Sequence, residues 1–244
     1  MNMSQFENIK AIIFDYGGTL DTGARHWANV LWEGFCQASV PVSEAQFREV
    51  YVFAERALAK SPIICPEDNF HTLLLKKVNI ETEELVRQNY WSPSETERQS
   101  AVKAIADYCN NYAVKTLETS REVLKKLKKQ YKLVLVSNFY GNIETILKDF
   151  KLEYFESVIE SAVVGVRKPD PEIYRMGVRA TGFPAEETAV VGDSYGKDII
   201  PAKAVGCKAI WMKGESWAPE ETDETLPDAI VENITQVADL FVRQ

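Results

Sequence analysis

The sequence predicts an α/β fold: an open, mostly parallel Rossmann-like sheet with helices on both faces, plus an inserted all-helical cap domain. Three observations predict it. Short apolar runs recur along the chain and stop at a polar residue, as buried parallel strands do. Amphipathic helical patterns separate them, and strands alternating with helices imply a parallel sheet with crossover helices. The alternation fails only between residues 21 and 112, where helical patterns follow one another with no obvious strand.

The first strand is Ala11-Ile12-Ile13-Phe14, which runs into Asp15 and then Gly17-Gly18. The second is Lys132 to Val136, ending at Ser137, and the third a shorter Ser157-Val158-Ile159. Thr188 to Val191 ends at Gly192-Asp193, and Lys208 to Met212 and Ala229-Ile230-Val231 complete the set. Helices are expected over 122–130, 143–150, 171–181 and 197–205, the first opened by a capping box of Thr119 and Glu122. Gly206 is a suitable stop for the last. In the strand-free span, helices are expected over 24–39, 43–60, 68–79, 82–90 and 94–112, separated by breakers such as Pro41, Pro62, Pro66 and Pro93. The expected organisation is a discontinuous core, residues 1–20 and 113–244, interrupted by a cap at 21–112.

Hydrophobic residues make up 45% of the chain and charged residues 26%, so a core can form without staples. The formal net charge of −8 argues against nucleic acid, which needs a Lys/Arg surplus. It leaves room for a small phosphate ester held by a local cluster of cations. Cys36, Cys65, Cys109 and Cys207 form no C-x-x-C pair, and His26 and His71 are the only histidines, a poor basis for zinc. No apolar signal core or membrane-length apolar stretch is present. A cytoplasmic location, with no membrane partner, is the expectation; oligomeric state is not legible.

Four polar signals fall at strand ends, where open α/β sheets bind ligands. The first is Phe14-Asp15-Tyr16-Gly17-Gly18-Thr19-Leu20, a carboxylate followed by glycines that leave main-chain amides open to an anion. The second is Ser137-Asn138, a hydroxyl and an amide able to donate to phosphate oxygens. The third is Lys168 in Gly165-Val166-Arg167-Lys168-Pro169-Asp170-Pro171, aimed by the two prolines. The fourth is Gly192-Asp193-Ser194-Tyr195-Gly196-Lys197-Asp198, with two carboxylates suited to a hard cation. Each alone is a common turn former, helix cap or solvated side chain. Their force lies in the joint order.

That order resembles the haloacid dehalogenase superfamily, whose members are mostly phosphohydrolases. Val190 to Met212 (VVGDSYGKDIIPAKAVGCKAIWM) carries the resemblance most specifically, and Glu160 to Tyr174 (ESAVVGVRKPDPEIY) nearly as well. The resemblance implies Asp15 as a nucleophile that becomes an aspartyl-phosphate, with Lys168 as its catalytic partner. It implies Mg²⁺ held by Asp15, the main-chain carbonyl of Gly17 and Asp193, with Asp198 close by, directly or through water. Ser137, Asn138, Gly18 and Thr19 would bind the phosphoryl group of a small phosphorylated molecule. Mg²⁺ and Lys168 would offset the repulsion between a carboxylate and a phosphate dianion.

One position departs from the pattern. The family's phosphatases usually carry an acid/base Asp two residues after the nucleophile, and here that residue is Gly17. Such a group typically contributes ~10²–10⁴-fold, so alkyl phosphates should turn over slowly unless Asp21, His26 or His71 substitutes. A hinge hydrogen bond for Asp21 and structural positions for both histidines are the favoured readings, and Tyr16 is expected only to shape the pocket. The reading is therefore a Mg²⁺-dependent phosphatase of reduced acid/base competence. The alternatives are a weakly active or inactive Mg²⁺- and phosphate-binding regulatory protein on this scaffold, or a phosphonate-cleaving enzyme. That last branch uses a cap lysine as a Schiff base, whereas Lys60, Lys76, Lys77 and Lys103 are expected to be solvated surface residues. Trp27, Trp32, Phe35, Tyr51, Phe53 and Trp91 are expected mostly in the cap core.

Overall fold

A computed structural model describes residues 3–60, 62–217 and 221–241. Its strands are β1 (Ala11–Phe14), β2 (Lys132–Ser137), β3 (Ser157–Glu160), β4 (Thr188–Gly192), β5 (Lys208–Met212) and β6 (Ala229–Val231). Its α-helices are α1 (Trp27–Gln37), α2 (Glu44–Lys60), α3 (Phe70–Arg87), α4 (Glu95–Leu127), α5 (Ile143–Asp149), α6 (Ser161–Val164), α7 (Glu172–Thr181), α8 (Ile200–Ala204) and α9 (Ile234–Phe241). Among the described residues the sheet has six strands in the order β3-β2-β1-β4-β5-β6, and each neighbouring pair is parallel. Each strand of the sequence reading is present.

Strand alternation sorts the core into two layers. Ile12, Phe14, Leu133, Leu135 and Val191 pack with Leu124 and Leu127 of α4, Ile146 of α5 and Val237 of α9. Ile13, Val134, Val136 and Val190 pack with Ile173 and Tyr174 of α7 and Ala202 of α8. Every one of these side chains is fully or nearly fully buried, and each large one stabilises the fold by about 1.5–3 kcal/mol relative to exposure. Because both faces are covered, the strands read as unbroken apolar runs rather than alternating ones. The order places β1 beside β4 at the point where the winding reverses. That leaves a crevice beyond their carboxyl ends.

Three helix expectations need correction. Residues 94–112 and 122–130 are not two helices but one, α4, capped by Ser94 and Glu97 with both halves of a capping box. Thr119 and Glu122 lie inside it. The stretch between contains no Gly or Pro, and buried Ala113, Leu117, Ser120 and Leu124 continue the helical period without a break. For the same reason 68–79 and 82–90 merge into α3, with buried Val78, Glu81, Thr82 and Leu85 bridging the expected gap. The expected 197–205 helix is instead a π turn, Tyr195–Ile199, followed by α8. Pro201 has no N–H to donate back into a regular helix, and π turns concentrate at functional sites. The expected boundary at residue 112 falls inside α4, whose far end packs against the sheet.

Four helices, α1 to α4, lie between β1 and β2. Phe53 of α2 is 42% exposed rather than core, and Lys77 of α3 is 5% exposed rather than solvated. No helix is long and apolar enough to cross a membrane among the described residues.

Candidate active site

Asp15 follows β1 directly, and its main-chain N–H donates to Val191 O at 3.0 Å, which locks the turn to β4. The carboxylate is 6% exposed. Lys168 reaches it from the loop before α7, with Nζ 2.6 Å from Asp15 Oδ1 and 2.7 Å from Asp198 Oδ1. Burial would lower the Lys168 pKa, but the two carboxylates hold it above the ordinary lysine value. Lys168 is therefore a fixed cation at the crevice.

Asp198 lies in the π turn after β4, and its oxygens already carry three donors. Lys168 and the Tyr174 hydroxyl donate to Oδ1, the latter at 2.7 Å, and the Ser194 N–H donates to Oδ2 at 2.9 Å. Asp193 is held differently. Thr19 Oγ1 donates to its Oδ1 at 2.9 Å and accepts from its N–H at 3.0 Å, while Trp211 Nε1 donates to its carbonyl at 2.9 Å. Asp15, Asp193 and Asp198 each offer a carboxylate oxygen within 4.8 Å of the others.

Such closeness has an electrostatic cost. Burial lifts the Asp15 pKa to about 6 against the pull of Lys168. Burial and the charge of Asp15 push Asp193 well above the ordinary carboxylate range. Like charges this close favour protonation or a bound cation. Asp15 also accepts from the Tyr16 N–H, while Asp193 Oδ2 and the Gly17 carbonyl have no hydrogen bond among the described residues. Hard oxygens from Asp15, Asp193 and the Gly17 carbonyl, beside mutually repelling carboxylates, fit a divalent ion such as Mg²⁺.

Several expected binding residues have another task. Both amide atoms of Asn138 are committed to the Lys168 main chain: Nδ2 donates to Lys168 O at 3.0 Å and Oδ1 accepts from Lys168 N at 2.8 Å. Asn138 thus fixes the main chain of Lys168. The Gly18 N–H is taken by Asp21 Oδ1 at 2.8 Å, so it is not free for an anion. Thr19 holds Asp193 through its hydroxyl. Ser137 ends β2 buried, and its hydroxyl has no partner among the described residues. The sequence signals could not separate contact from support, because both roles use the same residue types at the same strand ends.

The three substitute acids are also placed. Asp21 is fully buried, accepting from the Gly18 N–H and from Trp27 Nε1 at 2.9 Å. Burial raises its pKa to about 7. Both its oxygens are used by the hinge, as a structural reading requires. His26 caps α1, with Nδ1 accepting from Ala28 N at 3.2 Å, and stacks on Trp217 at 5.5 Å. Burial, Lys197 and Lys77 lower its pKa to about 4, so it is neutral near pH 7. His71 pairs with Asp107 at 2.8 Å between α3 and α4, apart from the carboxylate group. Tyr16 is fully buried, edge-on to Phe139 at 5.7 Å. Tyr174 is the supporting residue that sequence reasoning missed. Its position in the Pro171 helix gave no sign that its hydroxyl reaches Asp198.

Known proteins resemble this chain in sequence and in fold. The family described as haloacid dehalogenase-like hydrolase matches residues 9–206. A glyceraldehyde 3-phosphate phosphatase of Pyrococcus furiosus is 30% identical over 129 residues, 51% of this chain and 54% of that protein. A phosphoserine phosphatase of Thermus thermophilus is 38% identical over 84 residues, 34% of this chain and 33% of that protein. The chain thus spans between a third and about half the length of these relatives. Among solved structures, a dehalogenase superposes with a TM-score of 0.66 at 18% identity, covering 98% of this chain and 99% of the other. A HAD-hydrolase of Bacillus subtilis bound to magnesium gives 0.59 at 17% identity, covering 96% and 99%. At these identities the structural likeness establishes the fold alone.

Proposed function

The chain belongs to the haloacid dehalogenase-like hydrolase family, and from that premise we propose that it is a Mg²⁺-dependent phosphatase of a small phosphorylated metabolite. The observation that carries the reading is the meeting of Asp15, Lys168, Asp193 and Asp198 at one crevice. Relatives named for glyceraldehyde 3-phosphate and phosphoserine support the substrate class.

In this reading one carboxylate oxygen of Asp15 attacks phosphorus, the bond to the leaving oxygen breaks, and that oxygen departs with the electron pair. An aspartyl-phosphate remains on Asp15; water then attacks phosphorus, the bond between phosphorus and the Asp15 oxygen breaks to restore the carboxylate, inorganic phosphate leaves, and a proton from the water ends on the departed leaving group. Lys168 neutralises charge on Asp15 and on the transferring oxygens, held in place by Asn138 and by Asp198. Ser137 donates to a phosphoryl oxygen. Asp15, Asp193 and the Gly17 carbonyl would hold Mg²⁺, with Asp198 nearby as the anchor of Lys168; when bound, the ion supplies charge neutralisation. The helical segment 21–112 serves as the cap that covers the site. Gly17 contributes no proton, so leaving groups that need little protonation, acyl and aryl phosphates, react best.

A second reading, a Mg²⁺- and phosphate-binding regulator with poor turnover, is favoured by Gly17 alone. The phosphonate-cleaving reading is disfavoured by the state of the buried cap lysine. Lys77 is paired with Glu55 and held protonated, whereas a Schiff base needs a free amine. Turnover of p-nitrophenyl phosphate and acetyl phosphate separates the first two. Mg²⁺-dependent hydrolysis abolished by Asp15→Asn is expected; clean protein without turnover on either compound leaves the regulator.

A further inference from the structure

Above the crevice, the inserted helices hold an ion pair that the sheet does not need: Lys77 is buried, while the Glu55 side chain is 37% exposed. Lys77 of α3 pairs with Glu55 of α2, and its ammonium sits 4.4 Å from the centre of the Tyr51 ring. Tyr140 donates to Glu55, with its hydroxyl 3.2 Å from either carboxylate oxygen. Tyr140 belongs to the loop that leaves β2 after Ser137, so the pair stands over the carboxyl edge of the sheet. Two more edge loops converge on it. His26, from the loop after β1, lies 6.1 Å from Tyr51, and Trp217, from the loop after β5, lies 5.0 Å from the same ring. The loops after β1, β2 and β5 thus meet around this pair.

Burying the Lys77 ammonium is costly, and an ion pair is weak evidence of stabilisation, so its retention, with Glu55 still partly open, asks for a task. The pair also has unused capacity. Among the described residues, Lys77 donates its hydrogen bond only to Glu55, leaving ammonium protons over. Glu55 Oε2 accepts only from Tyr140. A spare donor and a spare acceptor side by side match hydroxyl groups, which both donate and accept, without parting the two charges. An anionic group would draw Lys77 away and strand Glu55 beside Glu81, whose two oxygens are buried without partners. A cationic group would strand Lys77 instead. Stranding either charge is what a buried site rejects most strongly.

We propose that Lys77 and Glu55 read the leaving group of the substrate, accepting an uncharged, hydroxyl-bearing one and rejecting one that carries net charge. The inference rests on the phosphatase reading and names its substrate class: phosphate esters of neutral polyols or sugars, alkyl esters that bind here but turn over slowly with glycine at position 17.

Three small phosphates that differ chiefly in leaving-group charge test it: glycerol 1-phosphate (neutral), 3-phosphoglycerate (anionic) and phosphoethanolamine (cationic). Each is measured as a competitive inhibitor of p-nitrophenyl phosphate turnover and by calorimetry on the Asp15→Asn protein. Glycerol 1-phosphate is expected to bind about tenfold tighter than either charged compound. Glu55→Gln frees Lys77 and is expected to improve 3-phosphoglycerate binding by about fivefold, while Lys77→Met improves phosphoethanolamine similarly. A gain of this kind cannot come from misfolding. Comparable binding of all three compounds, or a Glu55→Gln protein with no gain for 3-phosphoglycerate, overturns the proposal. Failure to hydrolyse p-nitrophenyl and acetyl phosphate would instead sink the phosphatase reading, and calorimetry would still report the charge preference.

Discussion

The Asp193 carboxylate occupies the space where a side chain of Gly18 would be: a Cβ there would lie 2.6 Å from Asp193 Cγ. Gly18 also has φ +96°, a backbone state that other residues rarely adopt. The turn after β1 and the end of β4 are thus fitted to each other through a missing atom. Gly18→Ala must displace Asp193 or strain the turn. A fall in stability of about 1–3 kcal/mol is expected, with Mg²⁺ affinity reduced at least tenfold. Thermal unfolding with and without Mg²⁺ measures both. A variant as stable and as responsive to the ion as the parent would contradict this fit.

Gly17 stands in the opposite situation. Its φ is not in the left-handed range, and a Cβ there would meet only Trp27 Cδ1, at 4.0 Å. Room exists for the carboxylate that this chain lacks. Gly17→Asp is expected to fold normally and to raise kcat for alkyl phosphates by about 10²–10⁴-fold if the missing acid is the only defect. Rates for p-nitrophenyl phosphate, whose leaving group needs little protonation, should change far less. An equal change for both substrate types would show that Gly17 is not a proton-transfer defect.

Asn138 holds the Lys168 main chain by two hydrogen bonds, which makes it a positioning residue. Asn138→Ala removes both, and kcat should fall by about 10–10²-fold, with KM for p-nitrophenyl phosphate moving less than threefold. Asn138→Asp, which keeps the acceptor for the Lys168 N–H, should recover part of the loss. If both variants lose substrate affinity and keep kcat, Asn138 touches the phosphate after all.

Glu81 is buried in α3 with both oxygens unpartnered, and burial raises its pKa to about 8 from an ordinary 4.5. The sign follows directly. Below the unfolded value both states hold the proton and no penalty arises. Between that value and the folded one, the unfolded chain has lost a proton that the folded chain keeps, so stability falls as pH rises. Above the folded value the penalty is complete. Glu81→Gln removes this titration, and the variant should gain on the parent by about 1–3 kcal/mol between pH 5 and pH 8. Urea midpoints across that range measure it; a constant difference would place the carboxyl in a wetter setting.

The strands were legible because a buried parallel strand can be little other than a short apolar run closed by a polar residue or glycine. Ala11–Phe14 and Thr188–Gly192 show this directly. Helix boundaries inside 21–112 were less legible. Whether a helix continues past Ile80 or Tyr112 depends on partners that the local sequence does not name. The residues of the site were visible as types at strand ends, while their division of labour was not.

By itself the sequence determined the order of strands, the four polar signals and the loss of a carboxylate at Gly17, because these depend on residue identity and local pattern. Tertiary structure decided that Asn138 serves Lys168, that Thr19 serves Asp193 and that Lys77 is buried with Glu55. Each of those assignments depends on a distance between segments far apart in the chain. Only the packed sheet and helices bring those segments within hydrogen-bonding range.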